Sequence, residues 1–218
     1  MIRRLKGFPR KALLAVGIGT AVLLFAGVAG AGSNFNNGGF EIGDNPPSYW
    51  GVTGAGAGNW FVSDKTITPV TGFGWFGPAE KEWAAVTDMP SSGTQILYRY
   101  INLGNNGKKG KLSMLVYYKN HAGVWCDPGT IDYSVLACNE QYRIDILQPA
   151  ASLFSDDPGD VLMTIFHTKS NSAMSMKPKR LTVSLKGLSG SVLLRLVAVE
   201  NEDVLNASVD DVRLDFGG

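Results

Sequence analysis

The sequence is poor in the side chains that carry most enzymatic chemistry. Its 218 residues include only two histidines and two cysteines. It contains no His-Glu-x-x-His zinc motif, no phosphate-binding loop and no Gly-x-Ser-x-Gly nucleophile turn. Glu80 and Glu82 lie two residues apart, and we interpret them as solvated acids, not as a glycosidase pair held across a cleft. These absences argue against catalysis.

The chain also lacks a strong charge of one sign. Five of its 20 Lys and Arg precede residue 32, whereas all 19 Asp and Glu follow it, so the remainder has a net charge of −4. A mildly acidic domain without a basic surface lacks the electrostatic footprint of a nucleic-acid binder. Lys108, Lys109 and Lys111 do cluster, but Asn and Gly surround them, as at a solvated hairpin tip. We therefore expect no nucleic-acid partner.

The N-terminal segment has the pattern of an export signal. Basic residues between positions 3 and 11 precede an apolar run at 12–26, and Ala29-Gly30-Ala31 offers small residues for cleavage. We predict a signal peptide at 1–31 and a single domain at 32–218. The alternative is an uncleaved membrane anchor, because the apolar stretch approaches the length of a membrane span. Both interpretations predict a secreted, periplasmic or cell-surface protein, which we expect to be a monomer.

The two cysteines, Cys126 and Cys138, are expected to form a disulfide. Export would bring them into an oxidising compartment, where disulfides persist. The bond would close the loop around Asp127-Pro128-Gly129. Two cysteines without a histidine cluster make a poor zinc site.

What the sequence does contain is a series of short β-type segments separated by Gly, Pro, Asn and Asp. No helical period lasts for three turns. We therefore predict an all-β fold, a two-sheet antiparallel β-sandwich (jelly roll) of about ten strands. The first predicted strand is 35–42 and the last is 207–216, and we interpret 51–58 as a glycine-rich loop. In the predicted strand 94–103, alternate residues face opposite sides.

The last predicted strand carries an unusual acid. Alternation places Asp210 on the same face as Val212 and Leu214. An acid in line with core aliphatics is costly to bury unless a cation balances its charge. We therefore expect the two ends of the chain to meet side by side around a structural ion.

Several short motifs occur in a recognisable order along most of the chain. They are Asn36-Asn37-Gly38-Gly39-Phe40-Glu41, Trp50, Ser92-Gly93, Ile101-Asn102-Leu103, Lys111-Leu112-Ser113-Met114 and Val209-Asp210-Asp211-Val212-Arg213-Leu214. This order resembles the jelly-roll (galactose-binding-like) carbohydrate-binding modules attached to bacterial xylanases and cellulases, and related exported bacterial proteins.

The resemblance implies a non-catalytic domain in which a structural calcium ion ties the first strand to the last. Glu41 and Asp210 would be its side-chain ligands, and the backbone carbonyl of Gly39 a third ligand. Alternatively, the two acids cap strand ends or pair with Arg213 or a lysine.

A glycan site would depend on aromatic rings, because sugars stack their apolar faces on Trp and Tyr. The candidates are Trp75 and Trp125 in loops, and Tyr98, Tyr100 and Tyr117 with Arg99 on strands. The alternative is that these rings belong to the core, and that Arg99 stacks as a cation on the two tyrosines that flank it, Tyr98 and Tyr100.

We therefore predict a secreted, non-catalytic module that binds a glycan or another cell-surface polymer. One alternative is a structural or surface-adhesion protein of the same fold without a sugar site. Another is a hydrolase, which would bring His121 or His167 close to a carboxylate and a hydroxyl.

Overall fold

The computed structural model describes residues 35–105 and 109–217, and these residues form ten β-strands and no helix. Sheet A has the strand order β1-β4-β9-β6-β7, sheet B has the order β2-β3-β10-β5-β8, and every pairing is antiparallel. The predicted two-sheet sandwich is confirmed. The strands are β1 (Gly51–Gly56), β2 (Asn59–Ser63), β3 (Ala84–Asp88), β4 (Gly93–Asn102), β5 (Lys111–Asn120), β6 (Gln141–Leu147), β7 (Val161–His167), β8 (Ser175–Ser184), β9 (Ser191–Glu200) and β10 (Leu205–Asp215).

The main core lies between the two sheets. Leu97 of β4 and Leu196 of β9 point into it from sheet A, and Val209 points into it from sheet B. The neighbouring Ile96 and Tyr98 point the opposite way and belong to a second apolar cluster on the outer face of sheet A. The alternation predicted for strand 94–103 is therefore confirmed.

The first predicted strand is wrong, and the true β1 was missed. Residues 35–43 form consecutive turns, with positive φ angles of 50° at Asn37 and 59° at Phe40. The segment interpreted as a glycine-rich loop contains β1 instead. Glycine is needed there for packing, because a Cβ on Gly51 would overlap the ring of Tyr98 on the neighbouring strand. The glycines that suggested a loop therefore belong to an edge strand.

The predicted contact between the two ends of the domain is confirmed. The Val212 amide donates a hydrogen bond of 2.8 Å to the Gly38 carbonyl oxygen. A side chain at Gly38 would collide with the Val212 backbone. The N-terminal turns are thus held directly against β10, without an intervening residue.

The predicted orientation of Asp210 is wrong because β10 contains a β-bulge. Its register with β5 shifts between Asp210 and Arg213, and Asp211 has a φ of 47°. Val209, Val212 and Leu214 all lie in the core cluster. The extra residue of the bulge allows these three to face inward while Asp210 points to the outer face of sheet B.

The predicted disulfide between Cys126 and Cys138 is present, with 5.8 Å between the two Cα atoms. The predicted signal peptide, residues 1–31, lies outside the described residues, so its cleavage and the compartment of the protein stay predictions. None of the described residues belongs to a helix long and apolar enough to cross a membrane.

Candidate functional site

A pocket of about 280 Å³ opens on the outer face of sheet A. β1 and β4 contribute Ala55 and Thr94 to its floor, and the loops before β6 and before β7 form its sides. Phe154 is 40% exposed, and Tyr133 is half-buried. We call this cavity the sheet A pocket. Its lining residues are Ala55, Thr94, Thr130, Ile131, Asp132, Tyr133, Phe154 and Asp156.

Arg195 fixes the loop that carries Phe154. The side chain of Arg195 is fully buried beneath that loop. Its Nη1 donates hydrogen bonds of 2.8 Å to the carbonyl oxygens of Leu153 and Ser155, the two residues that flank Phe154. Its Nη2 donates a 2.8 Å bond to Asp145, which balances the buried charge. The aromatic side of the pocket therefore rests on a buried ion pair.

Asp156 joins the two loops of the pocket. Its Oδ2 accepts hydrogen bonds of 2.9 Å from the Thr130 hydroxyl and from the Ile131 amide. Its Oδ1 is buried, has no hydrogen-bond partner, and lies 3.7 Å from Nη1 of Arg143. This leaves one carboxylate oxygen beside the pocket without a donor.

Asp132 adds a second carboxylate to the lining. Its Oδ1 accepts hydrogen bonds from the Ser134 hydroxyl at 2.7 Å and from the Ser134 amide at 2.9 Å. These bonds lower the pKa of Asp132 below its ordinary value, so the group is ionised at neutral pH. The pocket lining includes no lysine, arginine or histidine. Its wall is therefore aromatic and negatively charged.

Another cavity, of about 380 Å³, lies along the edge formed by β1 and β2. It contains no aromatic ring and no charged side chain, and so lacks the groups that bind sugars best. Its lining residues are Pro46, Val52, Thr53, Gly54, Gly56, Gly58, Asn59 and Gln95.

Three of the rings proposed as ligand contacts are buried instead. Trp75, Trp125 and Tyr117 are 4%, 2% and 0% exposed. Trp75 stacks parallel to Tyr117 with 5.9 Å between ring centroids, and Trp125 packs edge-on against Tyr118 at 5.1 Å. A buried ring offers no face to a sugar, so we assign these three residues to the core.

The three remaining ligand candidates, Tyr98, Arg99 and Tyr100, lie on β4 and face opposite sides of sheet A. Tyr100 is 53% exposed and meets half-buried Tyr98 edge to face, with ring centroids 6.3 Å apart. Tyr98 packs on the same apolar cluster as Tyr133, so it lies beside the sheet A pocket. Arg99 points the other way, and its guanidinium lies 4.0 Å from the ring centroid of Phe35. Arg99 therefore holds the N-terminal turns, whereas ligand contact by the two tyrosines stays a prediction.

The two proposed metal ligands converge on one loop. Asp210 Oδ2 accepts hydrogen bonds from the amides of Ala79 at 3.0 Å and Glu80 at 2.8 Å. Glu41 Oε2 accepts one from the amide of Glu82 at 3.4 Å. Burial raises the pKa of Asp210 to about 7. The acids from both chain ends thus bind the same segment, residues 79–82.

These residues fit a cation in part. The Oε1 atom of Glu41 is buried without a hydrogen-bond partner, which is the kind of atom a cation would satisfy. Asp210 is already bonded to three amides, including that of Asp211 at 2.6 Å. Within residues 35–105 and 109–217, no three acidic, histidine or cysteine side chains lie close enough to hold a metal. Backbone carbonyls such as that of Gly39 would have to complete the coordination.

The alternative pairing of Asp210 with Arg213 is not formed. Arg213 Nη2 lies 2.7 Å from Asp211 Oδ2 and 3.1 Å from Glu80 Oε2. Arg180 also pairs with Asp211. The bulge directs Asp211, not Asp210, to these arginines.

Neither histidine forms the arrangement that a hydrolase would need. His167 Nε2 is 3.3 Å from Asp127 Oδ2, but no hydroxyl is hydrogen-bonded to it. Burial lowers the pKa of His167. The ring of His121 packs against Phe73, with centroids 4.7 Å apart. Within the part of the chain that the structure describes, no histidine–hydroxyl pair is present, and the non-catalytic function stays a prediction.

None of the residues that line the pocket was among the predicted ligand contacts. Asp156 was not among the site candidates, because Asp-Asp-Pro-Gly is typical of a turn. Tyr133 and Phe154 were not proposed, although each is an aromatic residue in a loop with an acid nearby. That combination, an aromatic residue and an acid in a loop beside a strand, was the available signal.

No protein-family model and no curated protein matches the chain. Among solved structures, it is similar to the module TmCBM61 in complex with β-1,4-galactotriose, with 15% identity, a TM-score of 0.47 and coverage of 82% of this chain and 94% of that chain. It is similar to the K1 cleaved adhesin domain of Lys-gingipain from Porphyromonas gingivalis W83. The identity is 15%, the TM-score is 0.47, and the match covers 83% of this chain and 96% of that chain. It is also similar to a family 11 carbohydrate-binding module from Clostridium thermocellum in complex with a β-1,3-1,4-mixed-linked tetrasaccharide. Here the identity is 11%, the TM-score is 0.38, and the match covers 77% of this chain and 89% of that chain. All three scores lie below 0.5, so the fold assignment rests on the strand order and pairing of the chain itself.

Proposed function

We propose that the domain is a non-catalytic module that binds a glycan in the sheet A pocket. The observation that carries this proposal is the lining of the cavity, where two accessible rings, Tyr133 and Phe154, stand beside two carboxylates. Sugar rings offer apolar C–H faces to aromatic side chains, and their hydroxyls donate hydrogen bonds to carboxylates. The pocket provides both kinds of group.

The support beneath the pocket fits a binding function. Sites that recognise small ligands work best when their contact groups are held in place before binding. Arg195 fixes the backbone on both sides of Phe154, and Asp156 connects the two loops. The two loops that carry the rings are therefore held in place before binding, so little ordering is required when a ligand binds.

Replacing Phe154 by Ala is expected to weaken glycan binding about tenfold, because it removes a stacking surface. Affinity electrophoresis through gels that contain soluble polysaccharides would identify a ligand, and calorimetric titration would measure the change. Phe73→Ala is the matched control. Phe73 is 38% exposed, close to the 40% of Phe154, but it does not line the pocket. Equal binding by the Phe154 variant and the unmodified protein would contradict the proposed site.

A structural or surface-adhesion protein is the second candidate function. It is favoured by the burial of Trp75, Trp125 and Tyr117, since a protein without a sugar site is expected to place its rings in the core. The two candidates differ in the same electrophoresis experiment. Migration that no polysaccharide retards would exclude the glycan-binding proposal and leave the adhesion protein.

We also propose that a calcium ion binds near Glu41 and Asp210, with the Gly39 carbonyl as a further ligand. The partnerless buried Oε1 of Glu41 supports it. Calcium added to chelator-treated protein should then raise the melting temperature, since an ion at 100 times its Kd stabilises by about 2.7 kcal/mol. Glu41→Gln should abolish the shift, whereas Glu82→Gln, an exposed acid whose amide bonds Glu41, should keep it. Unchanged melting at millimolar calcium would exclude the ion.

A further inference from the structure

We propose that the sheet A pocket selects amino sugars, that is, glycans that carry a free, protonated amine. This inference rests on the proposed glycan-binding function and adds the class of sugar. It is carried by the two carboxylates of the pocket, which are negatively charged hydrogen-bond acceptors.

The charge of the lining is the first argument. Asp132 has no ion-pair partner among the described residues, and the hydrogen bonds from Ser134 keep it ionised. Asp156 is balanced only at a distance, with Arg143 Nη1 3.7 Å from its Oδ1. An ammonium group placed between the two loops would meet one fully uncompensated carboxylate and one partly compensated carboxylate.

The distribution of donors is the second argument. The donors closest to the pocket are already used by the protein. The Thr130 hydroxyl and the Ile131 amide donate to Asp156, and the Thr94 hydroxyl donates to the Ile131 carbonyl oxygen, a short contact. The Asp132 amide donates to Thr130 Oγ1 at 3.1 Å. Apart from the Tyr133 hydroxyl, what remains for a ligand is acceptors, and an ammonium group brings three donors and no acceptor.

The aromatic wall is the third argument. Tyr133 and Phe154 line the same cavity as the two carboxylates. A cation close to the face of an aromatic ring is attracted by the ring's electron distribution. The rings therefore favour a cationic sugar in addition to stacking on its apolar face. An acidic sugar would instead meet carboxylates of its own sign without a basic side chain in the lining.

Calorimetric titration with three oligosaccharides of equal length tests the inference. The probes are a β-1,4-glucosamine oligomer, its fully N-acetylated form and an oligogalacturonide, each measured at a pH at which the amine is protonated. The glucosamine oligomer should bind about tenfold tighter than the acetylated form, and this preference should shrink as salt is added. The oligogalacturonide should bind weakest of the three.

Asp132→Asn should weaken binding of the glucosamine oligomer more than binding of the acetylated oligomer, and should therefore remove most of the preference for the amine. Asp64→Asn makes the same charge change at an exposed acid outside the pocket lining and should leave the preference unchanged. Melting curves of both variants check that each is folded. Equal affinity for the amine and the acetylated form would overturn the inference while leaving the glycan-binding proposal intact. Absence of binding to all three probes and to every polysaccharide tested would overturn both.

Discussion

Asp145→Asn should lower the free energy of unfolding by about 3–5 kcal/mol, the usual cost of leaving one member of a buried ion pair without its partner. Both side chains of the Arg195–Asp145 pair are fully buried, with 2.8 Å between Nη2 and Oδ2. Asp145 also accepts hydrogen bonds from Arg143 Nε at 2.9 Å and from the Thr164 hydroxyl at 3.0 Å. The variant would leave two guanidinium groups facing a neutral amide.

Urea denaturation of the purified variant, followed by tryptophan fluorescence, would measure the loss. Asp64→Asn is the control for the change of charge, because Asp64 is exposed, and it should unfold at the same urea concentration as the unmodified protein. The double variant Asp145→Leu, Arg195→Met should recover part of the lost stability, since apolar residues can replace a buried ion pair. If Asp145→Asn unfolds like Asp64→Asn, the pair does not hold the loop and Arg195 is not the support of the pocket.

The strands that alternate between core and surface could be predicted from the sequence. In β4, one side chain in two enters the main core, so the sequence pattern and the burial agree from Ile96 to Ile101. The contact between the chain ends was also predicted, from the short motifs at both ends and from their order along the chain. These features depend on local periodicity or on a motif, and both can be read from a single chain.

Two local features depend on tertiary contacts that a single sequence does not reveal. β1 is rich in glycine because the ring of Tyr98 lies over Gly51, and this neighbour comes from a strand more than forty residues later. The bulge at Asp211 changes the face of Asp210 within an otherwise regular strand. Propensity gives no sign of either, since both arise from side chains packed against distant parts of the chain.

The candidate site was harder to predict than the fold because its groups come from separate loops. Tyr133 and Phe154 lie about twenty residues apart, and a strand separates their loops. Their proximity depends on Asp156, which bonds Thr130 and Ile131, and on Arg195, which is forty residues beyond Ser155. The two loop rings proposed from the sequence, Trp75 and Trp125, are 4% and 2% exposed and pack against Tyr117 and Tyr118 of β5.

Glu140→Gln should stabilise the protein above about pH 5, and the gain should increase up to about pH 9. Glu140 and Glu200 are 0% and 2% exposed. The pairing of Gln141 with Val199 places the two glutamates opposite each other where β6 and β9 adjoin. Glu140 Oε1 has no hydrogen-bond partner, and the ion pairs among the described residues include neither glutamate.

The direction of the pH effect follows from the raised pKa values. Burial, and then the charge of Glu200, raises the pKa of Glu140 to about 9, and burial raises that of Glu200 to about 8. The surrounding charged groups are Asp88, Glu202 and Asp203, all acidic. The folded protein therefore keeps protons that the unfolded chain has lost above its pKa of 4.5, so stability falls as pH rises, by about 1.4 kcal/mol per pH unit for each proton.

The measurement is the free energy of unfolding of both proteins from pH 5 to pH 9.5. At pH 5 a protonated Glu140 and a glutamine are nearly equivalent, so the two curves should lie close together, and they should separate progressively from there to about pH 9. His167, with its lowered pKa, and Asp210, with its pKa of about 7, titrate in both proteins, so their contributions cancel in the difference between the two curves. Glu202→Gln, the same substitution at an exposed neighbour, should follow the unmodified protein. Parallel curves for Glu140→Gln and the unmodified protein would mean that the pair does not retain its protons.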